Sequence, residues 1–185
     1  MDREELIKVG KVAIIYGGNS RQSRLKALQE KSEAYFNEQG HETSSIYVHE
    51  LPAEDLITAN FASVAIKEAN QKVEEASLVV VITPVYKAAY SGILKTFLDL
   101  LPQKGLEGKT LLPLVLGGSF GHLLAIDYAL KPVLSSLGAT NILSGAYVLD
   151  SHIERAEENQ FIISTEITER IDRVLSLANE EVNKA

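Results

Sequence analysis

Cysteine is absent from this chain of 185 residues. That excludes disulfides, thiolate metal sites and a cysteine nucleophile. Basic charge is in deficit as well: 18 Lys and Arg stand against 25 Asp and Glu, a net charge of −7 with a pI near 5.2. With no cationic excess to release counterions from a phosphate backbone, nucleic acid is not an expected partner. Every apolar run is far shorter than the roughly 20 residues that cross a bilayer, so no membrane span is expected either. Met1 to Lys8 is charged, and the short apolar run behind it lacks a cleavage site. No signal peptide is read there, and the expected location is the cytoplasm. Apolar residues at 45%, charged residues at 23% and a mean hydropathy of +0.02 describe an ordinary globular protein. The length fits one domain over residues 1–185.

Several chemistries are missing too. A Walker loop needs Gly-Lys-Ser/Thr, and a dinucleotide fingerprint needs a third glycine before its helix. The first glycine-rich segment has neither, and no acidic residues follow it as a phosphoacceptor domain would require. Asp99, Asp127 and Asp150 are scattered, no serine sits in a nucleophile elbow, and His41, His49 and His152 lack metal-ligand spacing. Neither a metal nor a catalytic side chain is assigned. The pattern favours a flat anionic cofactor that carries the chemistry itself.

What is present is a set of short apolar runs ending in turn-forming residues. Val12–Tyr16 runs into Gly17-Gly18-Asn19-Ser20, Leu78–Ile82 into Thr83-Pro84, and Leu111–Leu116 into Gly117-Gly118-Ser119. Such runs suit parallel strands covered on both faces. Ile46-Tyr47-Val48 and Ala146–Leu149 are weaker candidates. Pro113 cannot donate to a ladder, which places it at the start of its strand. Between the runs lie helical rhythms: Leu25, Leu28, Ser32, Tyr35 and Phe36, stopping at Gly40; a polar helix within 55–75; Ile93, Leu94, Phe97, Leu98 and Leu101 up to Pro102; Leu123 through Leu137; and a last helix over about 163–182. Pro132 predicts a boundary or kink near Lys131. Five strand–helix alternations without a hairpin signal predict a flavodoxin-like α/β fold. It is a doubly wound, five-stranded parallel sheet in the order 2-1-3-4-5 with helices on both faces. Residues 150–163 have no readable pattern.

Ligands of such sheets bind at the carboxyl ends of the strands, where three loops converge. In the first, Gly17 through Arg24, glycines admit close backbone approach and a helix N-terminus follows, with Ser20, Ser23, Arg21 and Arg24 adding donors. This reads either as an anion site or as a plain turn with a serine cap. In the second, Tyr86 and Tyr90 offer flat amphipathic faces beside Lys87, or merely cover the sheet end. In the third, Gly117, Gly118 and Gly121 imply close approach or unusual dihedrals. His122 there is a proton donor, a ring-edge contact or an ordinary helix-start residue.

The run Thr83-Pro84-Val85-Tyr86-Lys87-Ala88-Ala89-Tyr90-Ser91-Gly92, with Leu94-Lys95 and Leu98-Asp99-Leu100-Leu101-Pro102 behind it, resembles the NADPH-dependent FMN reductases. The nearest likeness is to the reductase partners of two-component alkanesulfonate monooxygenases. It continues through Gly117-Gly118 and from His122 to Leu134, covering most of residues 78–137; elsewhere only the layout matches. The resemblance implies FMN as cofactor or substrate, NADPH or NADH as hydride donor, and a homodimer or homotetramer. It also implies a flavin-dependent monooxygenase as possible recipient of the reduced flavin. By position, Pro84, Val85, Tyr86 and Lys87 border the isoalloxazine, and Gly117, Gly118 and Ser119 close on its pyrimidine side. Gly18, Ser20, Ser23 and Arg24 hold the phosphate. Tyr128 matches a tyrosine that marks a π-type bulge at a subunit interface. The first loop departs from the family's Gly-Ser-Pro-Arg, and Leu25, Lys26 and Ala27 replace later hydroxyl residues. Competing readings are an FMN-bound reductase of quinones, azo dyes or metals, a flavodoxin-type electron carrier, and a flavin-free binding scaffold. The helices at 91–102 and 122–137 have more apolar positions than one buried stripe needs, which also points to contact between subunits.

Overall fold

Alternate residues of the central strands feed two separate cores, one on each side of the sheet. In the computed structural model, which describes residues 9–157 and 160–184, the strands are β1 (Lys11–Tyr16), β2 (Glu42–Tyr47), β3 (Leu78–Tyr86), β4 (Ala89–Tyr90), β5 (Thr110–Gly117), β6 (Asn141–Ile142), β7 (Ala146–Leu149), β8 (Ile153–Arg155) and β9 (Phe161–Ile163). The helices are α1 (Lys26–Glu38), α2 (Ala53–Ile57), α3 (Val64–Glu75), α4 (Gly92–Leu98), α5 (Lys131–Ser136) and α6 (Thr165–Lys184). Ala13, Ile15, Val79, Val81, Leu111 and Val115 point to the face covered by α3, α4 and α5. Val12, Ile14, Leu78, Val80, Leu112 and Leu114 point to the face covered by α1 and α6. A strand dry on both sides has no polar positions to spare, which is why β1, β3 and β5 read as unbroken apolar runs. Helix α6 meets its face through Ile167, Ile171, Leu175, Ala178 and Val182, a stripe at three- and four-residue spacing. Each large member contributes about 1.5–3 kcal/mol by leaving water.

The parallel sheet runs β2-β1-β3-β5-β6, and β7 joins β5 further along the same edge. β6 and β7 therefore share one position, and the five-position order 2-1-3-4-5 is the one expected from the sequence. The break between them explains Pro113. It lies in the middle of β5, not at its start, with Val81 of β3 as its register partner. The β6 pairing stops at Leu111 and the β7 pairing begins at Leu114. At that gap Gly145 takes φ +69°, and a Cβ there would lie 2.1 Å from the Pro113 carbonyl oxygen. The edge position is interrupted where proline removes a donor.

Two hairpins were not foreseen. β4 folds back on β3, and β8 pairs with β9 within the segment that had no readable pattern. The polar stretch 55–75 is two helices, separated by a turn in which Ala59 has φ +52° and Ser63 caps α3 by accepting the Ile66 amide. Gly40 ends α1 with φ +83°. Ile126–Leu130 is a π-helical turn that passes into α5, so the boundary expected near Lys131 falls there. Among the described residues, no helix is long and apolar enough to cross a membrane.

Candidate functional site

Strands β1, β3 and β5 are neighbours, so their carboxyl-terminal loops meet above the sheet. Gly17 is where the first loop leaves β1: its amide donates to the Ile82 carbonyl at 2.7 Å, and a Cβ would lie 2.7 Å from Leu94 Cβ. Buried Ser91 ties the loops together. Its hydroxyl donates to the Gly17 carbonyl and accepts the Leu94 amide at 3.1 Å, capping α4, while its own amide donates to Thr83 Oγ1 at 3.0 Å. Ser91 thereby fixes Gly17 of the first loop, Thr83 of the second and the start of α4 to one another before any ligand arrives.

The first loop is a tight structure of its own. Ser20 Oγ accepts the Gln22 amide at 3.0 Å, Ser23 Oγ accepts the Leu25 amide at 3.2 Å, and the Tyr16 hydroxyl donates to the Ser20 carbonyl at 2.7 Å. Among the described residues, the amides of Gly18, Asn19, Ser20 and Arg21 find no backbone acceptor. Free amides gathered in the turn ahead of α1 suit an anion. Arg21 is committed elsewhere: it pairs with Glu50 through two nitrogens and stacks its guanidinium 3.6 Å above the Tyr47 ring. Arginine beside Glu50 lowers that carboxyl's pKa, and burial raises the pKa of Tyr47.

The second loop is the β3–β4 hairpin. Its two central residues, Lys87 and Ala88, have φ +50° and +67°, the left-handed pair of a type I′ turn without the Asn or Gly that normally makes it. Left-handed backbone in residues with a Cβ costs about 1–2 kcal/mol each. The turn presents the half-exposed ring of Tyr86 at the cleft. The third loop depends on Tyr147, whose hydroxyl donates to the Ser119 carbonyl at 2.7 Å. A Cβ on Gly117 would lie 1.9 Å from that hydroxyl, so only glycine fits beneath it. Burial, with the nearby Asp150 carboxylate, raises the Tyr147 pKa.

These loops enclose a cavity of about 240 Å³ lined by Ser23, Arg24, Pro84, Val85, Tyr86, Leu116, Gly117, Gly118, Asp150 and Arg155. Seven of the eleven residues expected from the sequence line it. Gly18 packs against the Tyr16 ring, Ser20 turns its hydroxyl to Gln22, Lys87 stands on the exposed hairpin tip, and Ser119 receives the Gly121 amide. A larger cleft of about 800 Å³, lined by Phe61, Lys67, Asn70 and Pro102 among others, lies beside α3, whose end leads into the start of β3. That places it at the opposite end of the sheet from the three loops.

The family model of NADPH-dependent FMN reductases matches residues 10–154, which include all three loops. The chain belongs to this family. It is 46% identical over 146 residues to an FMN reductase (NADPH) from Pseudomonas putida, covering 79% of this chain and 74% of that one. An FMN reductase (NADPH) from Escherichia coli strain K12 is 45% identical, with 77% and 75% covered. Among solved structures, the apo form of an NADH:FMN oxidoreductase superposes with a TM-score of 0.84 at 30% identity, covering 94% of this chain and 90% of that one.

Three cavity residues went unseen in the sequence: Leu116, read only as a strand residue of β5, Asp150, in the turn between β7 and β8, and Arg155, the last residue of β8. Nothing in the spacing of Asp150 and Arg155 marks them. Tyr128 does occupy a π-helical turn, as the family resemblance implied, and it is 79% exposed.

Proposed function

We propose that this chain reduces FMN with NADPH or NADH and releases the reduced flavin, a flavin-dependent monooxygenase being the recipient its family likeness favours. The observation that carries this reading is the union, in one cavity, of an amide- and arginine-bearing loop with a flat wall at Tyr86 and a bare backbone edge at Gly117 and Gly118. The donor set fits FMN. Loop amides, Ser23 and Arg24 suit a phosphate, and glycines leave room for a ring against backbone. When bound, FMN supplies an acceptor for the nicotinamide hydride.

The protein's part is to bind and orient. The loop amides from Gly18 to Arg21, with Ser23 and Arg24, hold the phosphate end; Pro84, Val85 and Tyr86 border the ring; and Gly117 and Gly118 bring backbone dipoles to its polar edge. Preorganised dipoles stabilise charge that gathers there without reorganising. Holding both reactants in one cleft makes the transfer effectively unimolecular. We read residues 1–185 as one domain, acting in the cytoplasm. Copies associate through Phe120, Leu123, Leu124 and Tyr128, large side chains left exposed beside the third loop, as a homodimer or homotetramer.

Titration with FMN, followed by flavin fluorescence, tests the binding half of the reading. Tyr86→Ala is expected to weaken FMN binding about tenfold while moving the melting temperature by no more than about 2 °C, because the ring is half-exposed and carries little of the core. Equal loss of binding and stability would make Tyr86 a packing residue and count against the site.

A further inference from the structure

Two guanidinium groups reach the cavity, carried by segments far apart in the chain. Arg24, on the first loop, donates through Nε to the Ile153 carbonyl on β8 at 2.7 Å. Arg155, on β8, donates through Nη2 to the Gln22 carbonyl on the first loop at 2.5 Å. Each segment's arginine thus grips the other segment's backbone, a reciprocal clasp between residues more than 120 positions apart in the chain, by separations of 129 and 133. A guanidinium has five N–H donors, so one bond to a carbonyl leaves most of the fork for a ligand.

The rest of the first loop explains why a second arginine matters. Leu25 and Ala27, at the start of α1, are buried in the core and offer no hydroxyl, and Arg21 is taken by Glu50 and Tyr47. Arg24 would otherwise be the loop's single cation at the cavity. A phosphate monoester carries about −1.5 to −2 charges near neutral pH. Among the described residues, the one carboxylate lining the cavity is that of Asp150, whose Oδ2 lies 3.9 Å from where a Cβ of Gly118 would stand, at the β5 loop and not at Gln22. The family match ends at residue 154, so Arg155 stands just beyond the shared segment.

We propose that Arg155, aimed by its bond to the Gln22 carbonyl, is a second cationic ligand for the flavin's phosphate monoester and sets the preference for FMN over unphosphorylated riboflavin. The proposal rests on the FMN reading above. Charge-assisted, fork-shaped hydrogen bonds are the strong ones, and lysine reproduces the charge without the fork.

The test is a fluorescence titration of the wild type, Arg155→Gln and Arg155→Lys with FMN and with riboflavin, after circular dichroism has established that each variant is folded. Arg155→Gln is expected to weaken FMN roughly tenfold to a hundredfold, and to change riboflavin affinity by less than about twofold. Arg155→Lys falls between the two for FMN. Equal weakening of both flavins would overturn the proposal, since the arginine would then only shape the pocket; so would an unchanged FMN affinity. Should Arg155→Gln not fold, Arg155→Lys decides by the same criterion: loss confined to FMN supports the assignment, and parallel or absent loss overturns it. A wild type that binds neither flavin would instead overturn the FMN reading itself.

Discussion

Tyr16 shows how one side chain joins the core to the site. Its ring is wholly buried against Tyr47 and His49, while its hydroxyl reaches the Ser20 carbonyl of the first loop. Burial, which penalises the phenolate, pushes its pKa up to about 12. Between about pH 10, where the unfolded tyrosine ionises, and pH 12 the unfolded chain releases a proton that the folded chain keeps. Stability is therefore lost as pH rises through that window. Tyr16→Phe is expected to be about 1 kcal/mol less stable at neutral pH, for want of the hydroxyl bond, yet to lose less stability than the wild type in alkali. Urea melts at several pH values would check this, and an alkaline slope unchanged by the substitution would contradict it. The sequence could not foresee such a role. Tyr16 reads as the last residue of a strand, and its partner is decided by how the loop closes over it.

Elements were legible in proportion to their burial. β1, β3 and β5 announce themselves because neither face meets water, whereas β2, an edge strand with Thr43, Ser44 and Ser45, was recognised only at its apolar end. The β3–β4 hairpin was invisible for a different reason: Lys87 and Ala88 are not residues that signal a type I′ turn, and the fold imposes their dihedrals. Ala88→Gly removes one Cβ from left-handed backbone. It is expected to stabilise the protein by about 0.5–1 kcal/mol, raising the melting temperature by roughly 1–4 °C. A lower melting temperature would show that the hairpin is not strained. The β8–β9 hairpin escaped notice because its strands are three residues each, too short for a period of two to register. Arg155 went with it, and its bond to Gln22 spans 133 residues, a distance no local pattern encodes.

At the scale of the molecule, the three loops were placed correctly because sheet order alone brings the ends of β1, β3 and β5 together. The surface beside them is the part a single chain leaves open. Phe120, Leu123, Leu124 and Tyr128 are each between 44% and 79% exposed along one short segment. Light scattering at micromolar concentration is expected to give a mass that is a multiple of 20.2 kDa. Leu124→Glu, which places a charge in that patch, is expected to shift the population toward single chains. A wild-type monomer would remove the proposed assembly and leave the cavity argument standing.

On this reading the cavity serves flavin reduction by a nicotinamide. The most direct measurement follows the loss of NADPH and of NADH absorbance under anaerobic conditions, with and without added FMN, on protein whose own flavin content is known. Turnover in proportion to added FMN is the predicted result. Flavin-bearing protein that oxidises neither nucleotide, with or without added FMN, would contradict it and leave an electron carrier on the same fold.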